Sequence, residues 1–277
     1  MELKLVTVEN SIDGNGDLRN CPDVSVNSDI KSFPVASSFL TEQLSGVPAL
    51  GHLSLSEHGP DASISFPIQI DDRLGEAEQL ADQLDRFAWE VLKAFARAVD
   101  ASSPWTANHS ERVASLAVRI GAVVGLSPKD LDVLRSAALL HDIGKLGVSA
   151  SILDKPGSLT NDERRCVEQH PQIGANILEP ITTYAEIIPV VLQHHEQFSG
   201  TGYPDGLAGE AICLSARILA VADVYDALAS KRPYRARWRR KCAVGFIKQG
   251  INYKFDPKVI EAFLEVMAQE EVERRFL

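Results

Sequence analysis

Five histidines and two aspartates occur in an order that suits a buried two-metal site: His109, His141-Asp142, His170, His194-His195 and Asp223. Imidazole and carboxylate donors together favour first-row transition metals. Two such ions close together form the usual clamp for splitting a phosphate ester. No cysteine falls within the series, which argues against a structural zinc site. Asp142 has two oxygens and can bridge two ions while His141 binds one of them. His141-Asp142 follows the apolar run Ala137–Leu140, and Asp223 follows Ile218–Ala222. Charged groups so placed are costly unless compensated, and metal coordination compensates them. Asp226 lies one helical turn beyond Asp223, on the same face. Adjacent helix positions diverge by about 100°, so His194 and His195 both serve only if the site lies across a helix end. Taken singly, each histidine is an ordinary core or surface residue, as His52 and His58 are expected to be. The ordered set carries the argument.

The rest of the chain must position this set. Its 277 residues are 45% hydrophobic, enough for a real core and for one large domain or a medium one with a small companion. Before about residue 73, short alternating runs (Leu3–Val8, His52–Ser56, Ala62–Ile70) predict a small α+β N-terminal module spanning 1–73. Residues 74–101 are expected to form a linking helix, with apolar residues at three and four along Glu76–Val99 (Leu80, Leu84, Phe87, Ala88, Val91, Leu92, Phe95, Val99) that pack on the domain following it. Residues 102–277 are then a mainly α, all-helical bundle. Its helices are expected at Ser110–Val124, Pro128–His141, Asn161–Ile177, Tyr184–His195, Leu214–Ser230, Arg239–Gln249 and Pro257–Gln269. Ser127-Pro128 is a good helix start, and Thr160 with Glu163 fits a capping box.

Composition narrows the function classes. Cys21, Cys166, Cys213 and Cys242 are scattered without a CxxC pair, so they read as buried small hydrophobes in a reducing compartment. No signal peptide and no membrane-spanning run is evident, so a soluble, cytoplasmic protein is expected. A net charge of −10 disfavours binding to polymeric nucleic acid. An anionic substrate therefore needs local cations, and Lys231, Arg232, Arg235, Arg237, Arg239, Arg240 and Lys241 supply them. Arg232 and Arg235 are assigned to a pocket, and Arg237 and Arg240 to a solvated helix start.

From about Asp100 to Leu264 the chain resembles the HD-GYP domain family, the cyclic di-GMP phosphodiesterase branch of the HD metal-dependent phosphohydrolases. The matching pieces are His109-Ser-Glu-Arg-Val113, Leu139-Leu-His-Asp-Ile-Gly-Lys145, Leu153-Asp-Lys-Pro-Gly157 and Glu168-Gln-His-Pro171. They continue through His194-His-Glu-Gln-Phe-Ser-Gly-Thr-Gly-Tyr-Pro-Asp-Gly206, Ala222-Asp-Val-Tyr-Asp-Ala227 and Arg232-Pro-Tyr-Arg235. The resemblance implies metal ligation by His109, His141, Asp142, His170, His194, His195 and Asp223. It implies that Lys145 and Asp142 are catalytic, with Lys145 assisting at the scissile phosphate, and that Tyr203, Gly202, Pro204, Arg232 and Arg235 bind the dinucleotide. Bridged ions would lower the pKa of a water and make a hydroxide nucleophile near neutral pH. Arginine forks suit phosphate or the guanine edge.

The chain departs from the family at Ser103, where an acid is common. It departs again at Trp105, where some members place a glutamate that helps to hold a third metal, and at Phe198 and Ser199, in place of the usual Trp and Asp. Two divalent transition-metal ions are therefore expected, iron first and manganese as the alternative. The expected reaction is hydrolysis of cyclic di-GMP to pGpG, GMP or both. One alternative is an HD phosphohydrolase acting on another nucleotide, which would not need the Gly-Tyr-Pro loop or the arginine pair. Another is a cyclic di-GMP-binding scaffold with weak catalysis, which loss of core ligands would favour. The N-terminal module is where a homodimer contact or a signalling partner would engage.

Overall fold

The computed structural model describes residues 70–101, 108–230 and 237–276. The expected α+β module, His52, His58, Cys21, Ser103, Trp105, Arg232 and Arg235 lie outside the described residues. Among the described residues ten α-helices run α1 (Ile70–Ala101), α2 (His109–Val124), α3 (Pro128–Leu140), α4 (Ala150–Leu153) and α5 (Asn161–Glu168), then α6 (His170–Leu178), α7 (Ile188–Gln193), α8 (Leu214–Ala229), α9 (Arg240–Gln249) and α10 (Pro257–Phe276). Short 3-10 turns cover Ile143–Gly147, Thr182–Tyr184 and Gly209–Ala211. Among the described residues the only β pairings are isolated bridges, Ser199 with Ala208 and Ile251 with Phe255. The mainly helical expectation holds.

From Leu84 onward the described residues form one compact unit. α2 packs on α3, α8 and α10, and α8 also meets α7 and α9. The core around these helices includes Val113, Ala117, Ile120, Leu134, Ile218, Leu219, Ile260 and Phe263, all buried. Both anticipated helix starts form: the Ser127 hydroxyl accepts from the Asp130 amide, and Thr160 and Glu163 make the reciprocal capping box.

Four differences from the sequence reading have physical causes. The helix expected over Asn161–Ile177 is two helices, because Pro171 has no N–H to continue the ladder. Likewise, the helix expected over Tyr184–His195 begins only at Ile188, with Pro189 in its first turn. The apolar stripe of α1 is wider than the surface it meets: Leu92, Ala96 and Val99 are buried, while Leu80, Leu84, Phe87 and Phe95 stay exposed. Cys242 is exposed, and Cys166 and Cys213 are only half-buried. Cys242 sits in the first turn of α9.

Candidate metal centre

Each half of the histidine series begins at a helix end. His141 caps the C-terminus of α3, His170 follows the end of α5, and His194 caps α7. Carbonyls in the last turn of a helix lack intrahelical partners. These three rings use them: Nδ1 of His141 donates to Ala138 O at 2.8 Å, His170 to Val167 O at 2.8 Å and His194 to Val191 O at 2.6 Å. A carbonyl only accepts, so each Nδ1 carries the proton and each Nε2 of a neutral ring presents a lone pair. Pro171 contributes to this arrangement, since an amide N–H at that position would compete for the Val167 carbonyl.

The Nε2 atoms converge. His170 and His194 face each other Nε2 to Nε2 at 3.3 Å, an arrangement in which two lone pairs repel unless a cation lies between them. Burial pushes His170 down to about 4 and His194 to about 3, so both are neutral at pH 7. His195 is also driven well below the usual range, by burial and then by His194 and His170. Neutral imidazole is the ligating form. The buried Nε2 of His141 has no hydrogen-bond partner, with Asp142 Oδ2 3.4 Å away.

Asp142 stands between two groups of rings. Its Oδ1 lies 3.4 Å from His170 Nε2, and its Oδ2 lies 3.4 Å from His141 Nε2 and 3.9 Å from His109 Nε2. Burial opposes its ionisation, but the fields of His141, Lys145 and His170 outweigh burial and hold it well below the usual carboxylate range. The Lys145 ammonium donates directly to Asp142 Oδ2. Three sets of donor atoms each lie within 4.8 Å of one another: His170, His194 and His195; His109, His141 and Asp223; His141, Asp142 and His194. The facing lone pairs, the orphaned His141 nitrogen and the mixed imidazole–carboxylate donors fit first-row transition metals.

α2 and α8 bring the remaining ligands together. His109 opens α2, and its Nε2 lies 3.1 Å from Asp223 Oδ1. Its Nδ1 faces Asp226 Oδ2 at 2.7 Å. Burial works against a charged His109, but hydrogen bonds to Asp223 and Asp226 prevail and raise it to about 9. The first turn of α2 is fixed from outside the helix as well. Asn108 gives no side-chain cap, and Asp100 instead accepts from the Ser110 amide at 3.2 Å and its hydroxyl at 2.9 Å.

The loop after His195 folds back on the cluster. The Tyr203 ring stacks on His195 with centroids 4.8 Å apart, and the Tyr203 amide donates to His195 O at 3.3 Å. Gly202 is required by this approach, since a Cβ there would lie 2.4 Å from Gln197 N and 2.6 Å from His195 O. Pro204 follows on the exposed side. Glu196 is buried, and its Oε1 accepts from the Asp205 amide at 2.8 Å. Phe198 and Ser199 amides donate to Lys254 O and Tyr253 O at 3.1 and 2.9 Å, which anchors the loop's other side.

All seven candidate ligands, Lys145 and Tyr203 thus meet in one place. Arg240 does not belong to a solvated helix start: it pairs with Glu270 Oε2 at 2.7 Å and with Met267 O, because α10 runs beside it. Arg237 is exposed, as expected. Asp226, Glu196 and Asp100 were given no role by the sequence reading. Only Asp226 left a signal there, its place on the face of α8 that carries Asp223.

Residues 93–259 match the family model for the HD domain. The chain is 37% identical over 206 residues to the cyclic di-GMP phosphodiesterase response regulator RpfG of Xanthomonas campestris pv. campestris, covering 74% of this chain and 54% of that relative. It is 42% identical over 177 residues to 3'3'-cGAMP-specific phosphodiesterase 3 of Vibrio cholerae, covering 64% of this chain and 38% of the relative. The chain therefore spans about half the length of these relatives or less. A solved V. cholerae structure of a cyclic GMP-AMP specific phosphodiesterase has the same fold, with a TM-score of 0.52 at 22% identity over 65% of this chain and 48% of that one.

Proposed function

The chain belongs to the HD domain family, in its HD-GYP branch, and from that premise we propose that it is a metal-dependent phosphodiesterase that hydrolyses cyclic di-GMP to pGpG, GMP or both. The observation that carries this reading is Asp142, whose two oxygens face two separate groups of histidine nitrogens. In the proposal His109, His141 and Asp223 would hold one ion and His170, His194 and His195 the other, with Asp142 a ligand available to both. The ions are iron or manganese. When bound, they supply Lewis acidity at the phosphoryl oxygens and activate water at neutral pH.

The chain's own residues do the rest. Lys145, already held at the rim of the cluster by Asp142, is the cation placed to stabilise charge on a phosphoryl or leaving oxygen. Tyr203, stacked over His195, offers its ring and hydroxyl to the substrate, with Gly202 and Pro204 fixing the path of the backbone. Arg232 and Arg235 grip phosphate or guanine through paired N–H groups. The division into a module at 1–73, a linking helix at 74–101 and a phosphodiesterase domain at 102–277 belongs to the same proposal. So does a homodimer or signalling contact through that module. Among the described residues no helix is long and apolar enough to cross a membrane, in keeping with the cytoplasmic setting of a soluble dinucleotide. Cyclic GMP-AMP is a second reading of the substrate, favoured by 42% identity to a 3'3'-cGAMP-specific relative.

The test is product analysis after incubating the anaerobically purified protein, loaded with Fe(II) or Mn(II), with cyclic di-GMP, 3'3'-cGAMP and a deoxynucleoside triphosphate in parallel. Linear dinucleotide or mononucleotide from a cyclic substrate is expected. Turnover of the triphosphate alone would place the chain in another branch of phosphohydrolase chemistry. Ligand binding without any product would make it a scaffold.

A further inference from the structure

His109 differs from the three carbonyl-steered ligands in what precedes it, for each of those stands at or just past the end of a helix, His170 included although it also opens α6. His141, His170 and His194 stand at helix C-termini, where free carbonyls at i−3 take the Nδ1 proton. His109 is the first residue of α2. A helix N-terminus presents N–H groups, not carbonyls, so the backbone there offers nothing that could accept from the ring. The acceptor comes instead from α8, 117 positions along the chain: Asp226 Oδ2, 2.7 Å from His109 Nδ1.

That carboxylate is itself held. Arg112, one turn after His109 on α2, donates from Nε to Asp226 Oδ1 at 2.7 Å and from Nη2 to Oδ2 at 3.0 Å. The Ser230 hydroxyl, one turn further along α8, is 3.3 Å from Oδ2 and 3.1 Å from Arg112 Nη2. The two-pronged arginine contact fixes the plane of the carboxylate as well as its charge. Asp226 is buried, and Arg112 is partly exposed.

We infer that Asp226, oriented by Arg112, is a positioning residue that fixes the His109 ring and its tautomer so that Nε2 points at the metal shared with His141 and Asp223. This rests on the metal-centre reading above. Outer partners of this kind are worth about 10–100-fold in metal affinity. Only one of the two ions depends on this pair, since His170 and His194 on the other side are steered by backbone carbonyls.

The experiment is titration of metal-free protein with Mn(II), followed by electron paramagnetic resonance, with melting of the metal-free protein measured alongside. Wild type is expected to fill two sites. Asp226→Asn, which keeps the shape and loses the charge, should weaken one site on the order of 10-fold and Asp226→Ala up to about 100-fold. The second site should stay within about threefold of wild type, outside the 10–100-fold range that follows loss of an outer partner. Arg112→Gln should weaken the same site several-fold, and Arg112→Lys should recover most of that loss. Because Arg112 is partly exposed, its variants keep the test open should Asp226→Ala not fold. Wild-type affinity at both sites in folded Asp226→Asn would overturn the inference alone, as would equal weakening of both sites. Failure of the wild type to bind Mn(II) would overturn the metal centre itself and the inference with it.

Discussion

His170 and His194 are steered by the backbone of the helices that end beside them, whereas His109, eight positions past the end of α1, is steered by a carboxylate from a distant helix. Backbone carbonyls cannot be removed by substitution, so the first group is buffered against change at its neighbours' side chains. What it depends on is where each helix stops. The second group has the opposite exposure: two side chains, Asp226 and Arg112, carry its orientation. One site can thus be assembled by two strategies that fail in different ways.

The largest break should come at the residue common to both groups. Asp142→Ala is expected to lower cyclic di-GMP turnover more than about 100-fold, beyond the range for outer hydrogen-bond partners. Bound metal should fall from two ions per chain to one or fewer, measured by elemental analysis. Full occupancy with normal turnover would mean that no bridge exists.

Gly144→Ala should damage the carbonyl-steered group first. A Cβ there would meet His170 O at 1.9 Å and Gly174 N at 2.5 Å, so the start of α6 must move. A loss of about 3 kcal/mol in urea unfolding is expected, the upper end for overpacking, along with loss of the ion on the His170 side. Unchanged stability would show that the approach of these two backbones is not tight.

A milder and more selective test is Pro171→Ala. It restores an N–H that can compete for Val167 O, and so should cost about 1 kcal/mol of His170 orientation, read as a roughly fivefold weaker ion on that side. The His109 side should not respond. If both sides weaken equally, the two groups are not independently oriented.

The smallest effect is expected from Arg240→Ala. Its partly buried pair with Glu270 should contribute about 1 kcal/mol or less, visible in unfolding, with metal content and dinucleotide affinity unchanged. A loss of substrate affinity would return Arg240 to the binding surface.

Much of this was legible in the sequence because motif spacing records which residues meet. The ligand series, the loop carrying Tyr203 and the position of Lys145 beside Asp142 are all local or ordered features. The break before His170 was also written there, since Pro171 has no N–H to continue the ladder, but apolar periodicity on both sides concealed it. What stayed hidden depends on long-range packing. Asp226 acquires a role only when α8 lies against the start of α2, and Asp100 only when the end of α1 reaches Ser110. Arg240 looked solvated because Glu270 is thirty positions away. Cys242 looked buried because small thiols usually are, and only the packing of α9 decides that it is not.

The placement of His141, His170 and His194 at helix C-termini also has an electrical consequence. Three helices aim their carbonyl ends at one point, and the carbonyl end of a helix carries partial negative charge. Asp142 and Asp223 add full charges to the same spot, in a chain that is already at −10. The cluster is therefore a well for cations and a barrier to anions until it is filled. A dianionic dinucleotide would meet repulsion at the bare site and attraction at the loaded one. Binding should accordingly be ordered, metal before substrate, and metal supply would then gate the signal even where the dinucleotide is abundant.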